Sequence, residues 1–90
     1  MNTTVRVIYH GRVQGVMFRK TTEGIARGFS VSGYVCNLPD GSVELIAQGE
    51  SDELNRFLAA VGDEFAGNIR NIERTEVHSD ETWADFRVRY

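Results

Sequence analysis

Leu54, Phe57, Leu58, Val61 and Phe65 follow one another at steps of three, one, three and four residues. That is the spacing of one face of an α-helix. An apolar stripe of this kind must be covered by another layer. Thr22, Ile25, Ala26 and Phe29 fall at i, i+3, i+4 and i+7, which predicts a second such helix over residues 20–29. Other apolar residues alternate instead. Val5, Val7 and Tyr9 alternate with Arg6, Ile8 and His10 over residues 4–10, and Val43, Leu45 and Ala47 alternate with Glu44, Ile46 and Gln48 over residues 42–48. Period two marks a strand with one buried face.

The connections have their own chemistry. Gly24 and Gly28 weaken the first helix by about 1 kcal/mol each relative to alanine, and Ser30-Val31-Ser32-Gly33 ends it. Pro39-Asp40-Gly41 predicts a hairpin turn between strands at 33–38 and 42–48, because Pro presets φ and Gly accepts a positive one. Ser51 is the expected N-cap of the second helix, with Asp52 and Glu53 complementing its dipole. Gly67-Asn68 ends that helix. A strand follows over 70–78, where Ile72, Thr75 and Val77 do not share parity, which signals a bulge or a displaced boundary. Trp83–Tyr90 is expected to be the last strand. The order β-α-β-β-α-β-β predicts an α+β, ferredoxin-like split βαβ sandwich, a mostly antiparallel sheet with two helices on one face.

Ninety residues make one small domain, 1–90. The net charge of -3 argues against a sequence-independent nucleic-acid binder, which carries a basic field. Arg6, Arg12, Arg19, Lys20 and Arg27 crowd the first third, but helix and strand geometry spreads them over different faces. The aromatic run of RRM-type RNA binders is absent. Cys36 is the only cysteine, so no internal disulfide forms. No signal-like segment or membrane-length apolar run occurs. The expectation is a cytoplasmic monomer, with unpaired sheet edges the one argument for association.

The stretch His10–Arg19 lies between a strand and a helix, with Gly11 and Gly15 and no proline. Such a strand-to-helix turn lets backbone N–H groups converge on an anion. Arg19 is then either a charged fork for phosphate or carboxylate oxygens or a surface arginine at a helix start. The second placement is unfavourable at the positive end of a helix dipole. Asn37, before the hairpin, either holds a water with its amide or bonds its own turn. Cys36 lacks the C-x5-R loop of a cysteine phosphatase, since residue 42 is Ser. His10 and His78 lack metal-ligand spacing, so neither a metal nor a cofactor is expected. His10 is close enough to the loop to touch a substrate. Asp40 belongs to a turn and Glu44 to an exposed strand face, which makes them no acid–base pair. Phe18 reads as a core plug. Trp83 and Tyr90 read as packing on the sheet and are assigned to no site.

The run Gly11-Arg12-Val13-Gln14-Gly15-Val16-Met17-Phe18-Arg19 resembles the signature loop of the acylphosphatases. Gly33-Tyr34-Val35-Cys36-Asn37-Leu38-Pro39-Asp40-Gly41-Ser42-Val43-Glu44 resembles that family's second signature, G-[WY]-V-x-N-x-x-D-G-x-V-E. The likeness extends thinly to Phe86-Arg87-Val88. It implies a metal-independent hydrolase of small acyl phosphates with the same sandwich fold. In that reading the amides of Gln14, Gly15, Val16, Met17, Phe18 and Arg19 bind the phosphoryl group together with the Arg19 side chain, and Asn37 orients the attacking water. The rival is a non-catalytic phosphate- or carboxylate-binding or accessory module of the same fold. Three positions depart from the family pattern. Lys20 replaces an aromatic residue and adds charge, Ser30 replaces a glycine after the first helix and predicts a strained or rearranged exit, and Tyr34 replaces the commoner tryptophan.

Overall fold

The computed structural model describes residues 2–90. Its elements are β1 (Asn2–Gly11), α1 (Phe18–Ala26), β2 (Ser32–Asn37), β3 (Val43–Glu50), α2 (Ser51–Glu64), β4 (Ile69–Val77) and β5 (Phe86–Val88). One sheet carries the strands in the order β4-β1-β3-β2-β5. Its pairs are antiparallel except β2–β5, which is parallel. This is the α+β, ferredoxin-like sandwich that the order of periodicities predicts, with β5 added beside β2.

Alternation builds the core. Val5, Val7 and Tyr9 of β1, Val35 of β2, and Val43, Leu45 and Ala47 of β3 are buried with Phe18 and Ala26 of α1 and Leu54, Phe57 and Val61 of α2. Burying a large side chain of this kind stabilises the fold by about 1.5–3 kcal/mol. The Phe18 ring lies 5.1 Å from that of Tyr9 and 4.3 Å from that of Phe65. Phe18 is therefore the core plug its sequence context predicts, and it fixes the loop before it.

Several boundaries differ from the sequence expectation. α1 starts at Phe18, two residues early, and ends at Ala26. Beyond it, Arg27 N, Gly28 N and Phe29 N donate to carbonyls three residues back, at 3.3, 3.0 and 3.1 Å. The chain tightens there rather than continuing as α-helix, although Phe29 still packs on Phe57 at 5.9 Å. Ser51 is the first residue of α2 and not its cap. Glu50 holds the cap position, because β3 runs into the helix without a loop. Ser30 does not enter the left-handed region. Its backbone N–H instead donates to Glu53 Oε2 at 2.9 Å, tying the α1 exit to the first turn of α2.

β4 is an outer strand whose side chains are nearly all exposed. No face of it is buried, so no clean period exists to read. The register also shifts between His10 and Gly11, where Ile69 rather than Arg70 meets Gly11, a bulge that fits the broken parity. β5 covers only Phe86–Val88, shorter than Trp83–Tyr90, because its ladder is limited to Gly33–Val35 of β2. Residues between β4 and β5 touch the opposite face of the sheet. Trp83 meets Tyr34 edge-on at 6.1 Å, and Glu81 O accepts from Gln48 Nε2 at 3.2 Å.

Candidate active site

Residues 12–17 turn the chain between β1 and α1. Gly15 has φ 74° and Met17 has φ 65°. Met17 is the one non-glycine residue with positive φ among the described residues, a conformation that costs about 1–2 kcal/mol. Left-handed residues of this kind bring neighbouring amides to one side of a loop. No side chain caps α1, and its first turn holds no acidic residue. The first bond into the helix runs from Thr21 N to Met17 O at 3.0 Å. The amides of the first turn are thus without helical acceptors, the condition under which an anion is attracted.

The β2–β3 hairpin holds this loop. Gln14 Nε2 donates to Leu38 O and to Ser42 O, each at 2.8 Å. Asp40 shapes the hairpin by accepting from Ser42 N at 3.0 Å and Ser42 Oγ at 2.5 Å. Both bonds hold its carboxyl below the usual range. Asn37, just before the turn, thereby comes beside the loop.

Gly15, Met17, Phe18, Arg19, Lys20, Asn37 and Tyr90, with Val13 beneath, line a cavity of about 350 Å³. Arg19 and Asn37 share it although 18 residues separate them in the chain. Asn37 Oδ1 is buried and accepts no protein hydrogen bond. None of the ion pairs found among the described residues involves Arg19. Its guanidinium carbon lies 4.9 Å from the centre of the Tyr90 ring, within cation–π range. Of the loop residues singled out from sequence, Gln14 and Val16 do not line the cavity. Gln14 faces the hairpin, and Val16 packs against the core.

Tyr90 is the site residue that sequence reasoning missed. It was expected to pack on the sheet, yet it is 92% exposed and stands over Arg19. Only the parallel placement of β5 beside β2 brings it there. Trp83 does pack on the sheet, against Tyr34. His10 bonds Glu73 Oε2 at 2.5 Å and does not line the cavity.

Glu44 is not a solvated strand residue. Its side chain is 14% exposed, and it accepts from Arg6 Nε at 2.7 Å, Tyr34 Oη at 3.1 Å and Cys36 Sγ at 3.6 Å. Burial alone pushes its pKa up, but these bonds and the Arg6 charge outweigh burial and hold it below 4.5. Burial and the Glu44 charge push the Cys36 thiol upward, which disfavours the thiolate a nucleophile needs. Among the described residues no His, Cys, Asp and Glu side chains gather in threes to hold a metal. No helix among them is long and apolar enough to cross a membrane.

Fold and cavity together define a ferredoxin-like sandwich whose β1–α1 turn holds a pocket lined by Arg19, Lys20 and Asn37 among apolar side chains. The sequence profile of the Acylphosphatase family matches residues 5–88, and the chain belongs to the acylphosphatase family. It is 38% identical over 89 residues to an acylphosphatase of Lactobacillus gasseri, covering 97% of this chain and 98% of the relative. It is 40% identical over 88 residues to an acylphosphatase of Archaeoglobus fulgidus, covering 96% and 97%. The crystal structure of acylphosphatase from Bacillus subtilis superposes with a TM-score of 0.87 at 34% identity, each chain fully covered. Family and fold thus support hydrolysis of small acyl phosphates.

Proposed function

We propose that this chain hydrolyses the carboxyl–phosphate anhydride of acyl phosphates, holding the phosphoryl group with the Gln14–Arg19 amides and the Arg19 side chain while Asn37 orients water. The observation that carries this reading is the shared cavity that Arg19 and Asn37 both line. The loop amides and the guanidinium concentrate positive potential where three phosphoryl oxygens would sit.

Water attacks phosphorus as the P–O bond to the acyl oxygen breaks. The electron pair of that bond leaves with the carboxylate, which needs no proton. The water's proton ends on a phosphate oxygen, so the products are a carboxylate and inorganic phosphate. Charge spreads over the equatorial oxygens in the transition state, where fixed N–H donors act most strongly. The Asn37 side-chain amide holds the water and aims its lone pair, which converts encounter into positioning. As written, the reaction draws its positive field from Arg19 and amides and needs no metal. A phosphomonoester would have to expel a more basic group, an alkoxide or for an aryl ester a phenoxide, so it should be a poorer substrate.

The test is turnover of benzoyl phosphate and of p-nitrophenyl phosphate in EDTA, with wild type and Arg19→Gln. The reading expects fast turnover of the first, little of the second, and a loss of about 10²–10³ in kcat/KM on removing the guanidinium. Phosphate binding without turnover by folded wild type would favour the anion-binding module instead.

A further inference from the structure

β5 is the outermost strand beside β2, so part of its backbone faces away from any ladder. Toward β2, Arg89 N donates to Val35 O at 2.9 Å and Gly33 N donates to Asp85 O at 3.0 Å. Val88 N has a different acceptor, Glu23 Oε2 of α1, at 3.0 Å. Glu23 follows Arg19 by four residues on the helix, so the two side chains share a face. Glu23 Oε1 lies 3.7 Å from both Lys20 Nζ and Arg27 Nη2, and the side chain is 15% exposed. A carboxylate placed like this makes a charge-assisted bond to the strand. Its ion-pair partners are Lys20 and Arg27, and no ion pair with Arg19 is found among the described residues.

Two residues past Val88, the Tyr90 ring stands over Arg19 while remaining 92% exposed. Burial does not hold a ring so exposed. Its position is set by the backbone it hangs from, and that backbone is tied to β2 through Arg89 N and to α1 through Val88 N.

We propose that Glu23 is a positioning residue for Arg19: by accepting the Val88 N–H it clamps the end of β5 to α1 and so keeps Tyr90 stacked on the phosphate fork. The proposal rests on the phosphate-binding role given to Arg19 above. An arginine side chain has several rotatable bonds, and ordering it before the ligand arrives lowers the entropic cost of binding. The stacked ring supplies that order through its quadrupole.

The test uses the full chain as Glu23→Ala, Glu23→Gln, Tyr90→Leu and the double variant Glu23→Ala/Tyr90→Leu. The first readout is the NMR resonance of the Arg19 side-chain Nε–H, which the Tyr90 ring current shifts. The second is the inhibition constant of inorganic phosphate against benzoyl phosphate. Tyr90→Leu and Glu23→Ala should move the resonance to the same position, and each should weaken phosphate about two- to fivefold, the size of an exposed cation–π contact. Glu23→Gln should stay near wild type, because its carboxamide oxygen accepts the same N–H. The double variant should be no worse than either single one. An unmoved resonance in Glu23→Ala, or losses that multiply in the double variant, would overturn the clamp. A resonance that moves as expected in a protein that binds no phosphate would uphold the clamp and overturn the function proposed for Arg19.

Discussion

Gln14 Nε2 donates at 2.8 Å to Leu38 O, the carbonyl that follows Asn37 in the chain. The same nitrogen reaches Ser42 O on the other side of the hairpin. One side-chain amide therefore joins the turn that carries the amides to the turn that carries the water-orienting candidate. Replacing Gln14 by Leu removes one bond from each carbonyl, while Leu38 O still accepts from Gly41 N and Ser42 O from Leu38 N. At about 0.5–1.5 kcal/mol for each bond lost, the two together contribute about 1–3 kcal/mol. Urea unfolding should show a loss in that range, and kcat/KM for benzoyl phosphate should fall with it. Unchanged stability would mean that the loop is held by Phe18, Val13 and the Arg12–Asn68 bonds without Gln14.

Gly33 opens the second signature for a steric reason. Its φ is 137°, and a Cβ built there would lie 1.9 Å from Ile46 O of the neighbouring strand. Backbone cannot yield as a flexible side chain can. Gly33→Ala should therefore cost more than about 3 kcal/mol, beyond the usual range for a point change. Thermal unfolding of the variant checks this, and a melting temperature near wild type would mean that β2 can shift against β3.

Glu44 gives a pH signature. Its pKa in the fold lies below the ordinary 4.5 because bonds from Arg6, Tyr34 and Cys36 outweigh the effect of burial. The stability it contributes is therefore complete above the unfolded value and is lost as pH falls through the folded one. Urea midpoints measured between about pH 6 and pH 3 should drop less steeply for Glu44→Gln than for wild type. Parallel curves would contradict the assignment.

Cys36 adjoins Asn37 but carries no chemistry in this account. Its thiol pKa lies above the ordinary 9.0, with burial the largest cause. At pH 8 a thiol reagent should modify it more slowly than a free thiol, and Cys36→Ser should keep kcat within about twofold, as a group outside the reaction does. A large loss in kcat would reopen the nucleophile reading.

The order of elements was legible because helix and strand leave different periods, and β1, α1, β3 and α2 each bury a periodic apolar set. β4 was hard to read because it is an edge with neither face covered. Phe18 was legible as a plug, since an aromatic residue at a helix start beside a glycine turn has few other uses. Tyr90 was not, because 71 residues separate it from Arg19 and only the β2–β5 pairing joins them. Glu44 looked solvated because its three donors come from Arg6, Tyr34 and Cys36 on two neighbouring strands, and register is invisible in a single strand. The anchoring side chain of Gln14 escaped notice for the same reason, since its acceptors are carbonyls that a sequence does not display.

The most direct measurement of the central claim is Asn37→Ala turnover of benzoyl phosphate beside inorganic phosphate affinity. If the Asn37 side chain orients the attacking water, kcat should fall by about 10²–10³ while phosphate binds as in wild type. A variant that keeps most of its kcat would contradict that role, and one that loses phosphate binding in step with kcat would make Asn37 part of the anion site instead.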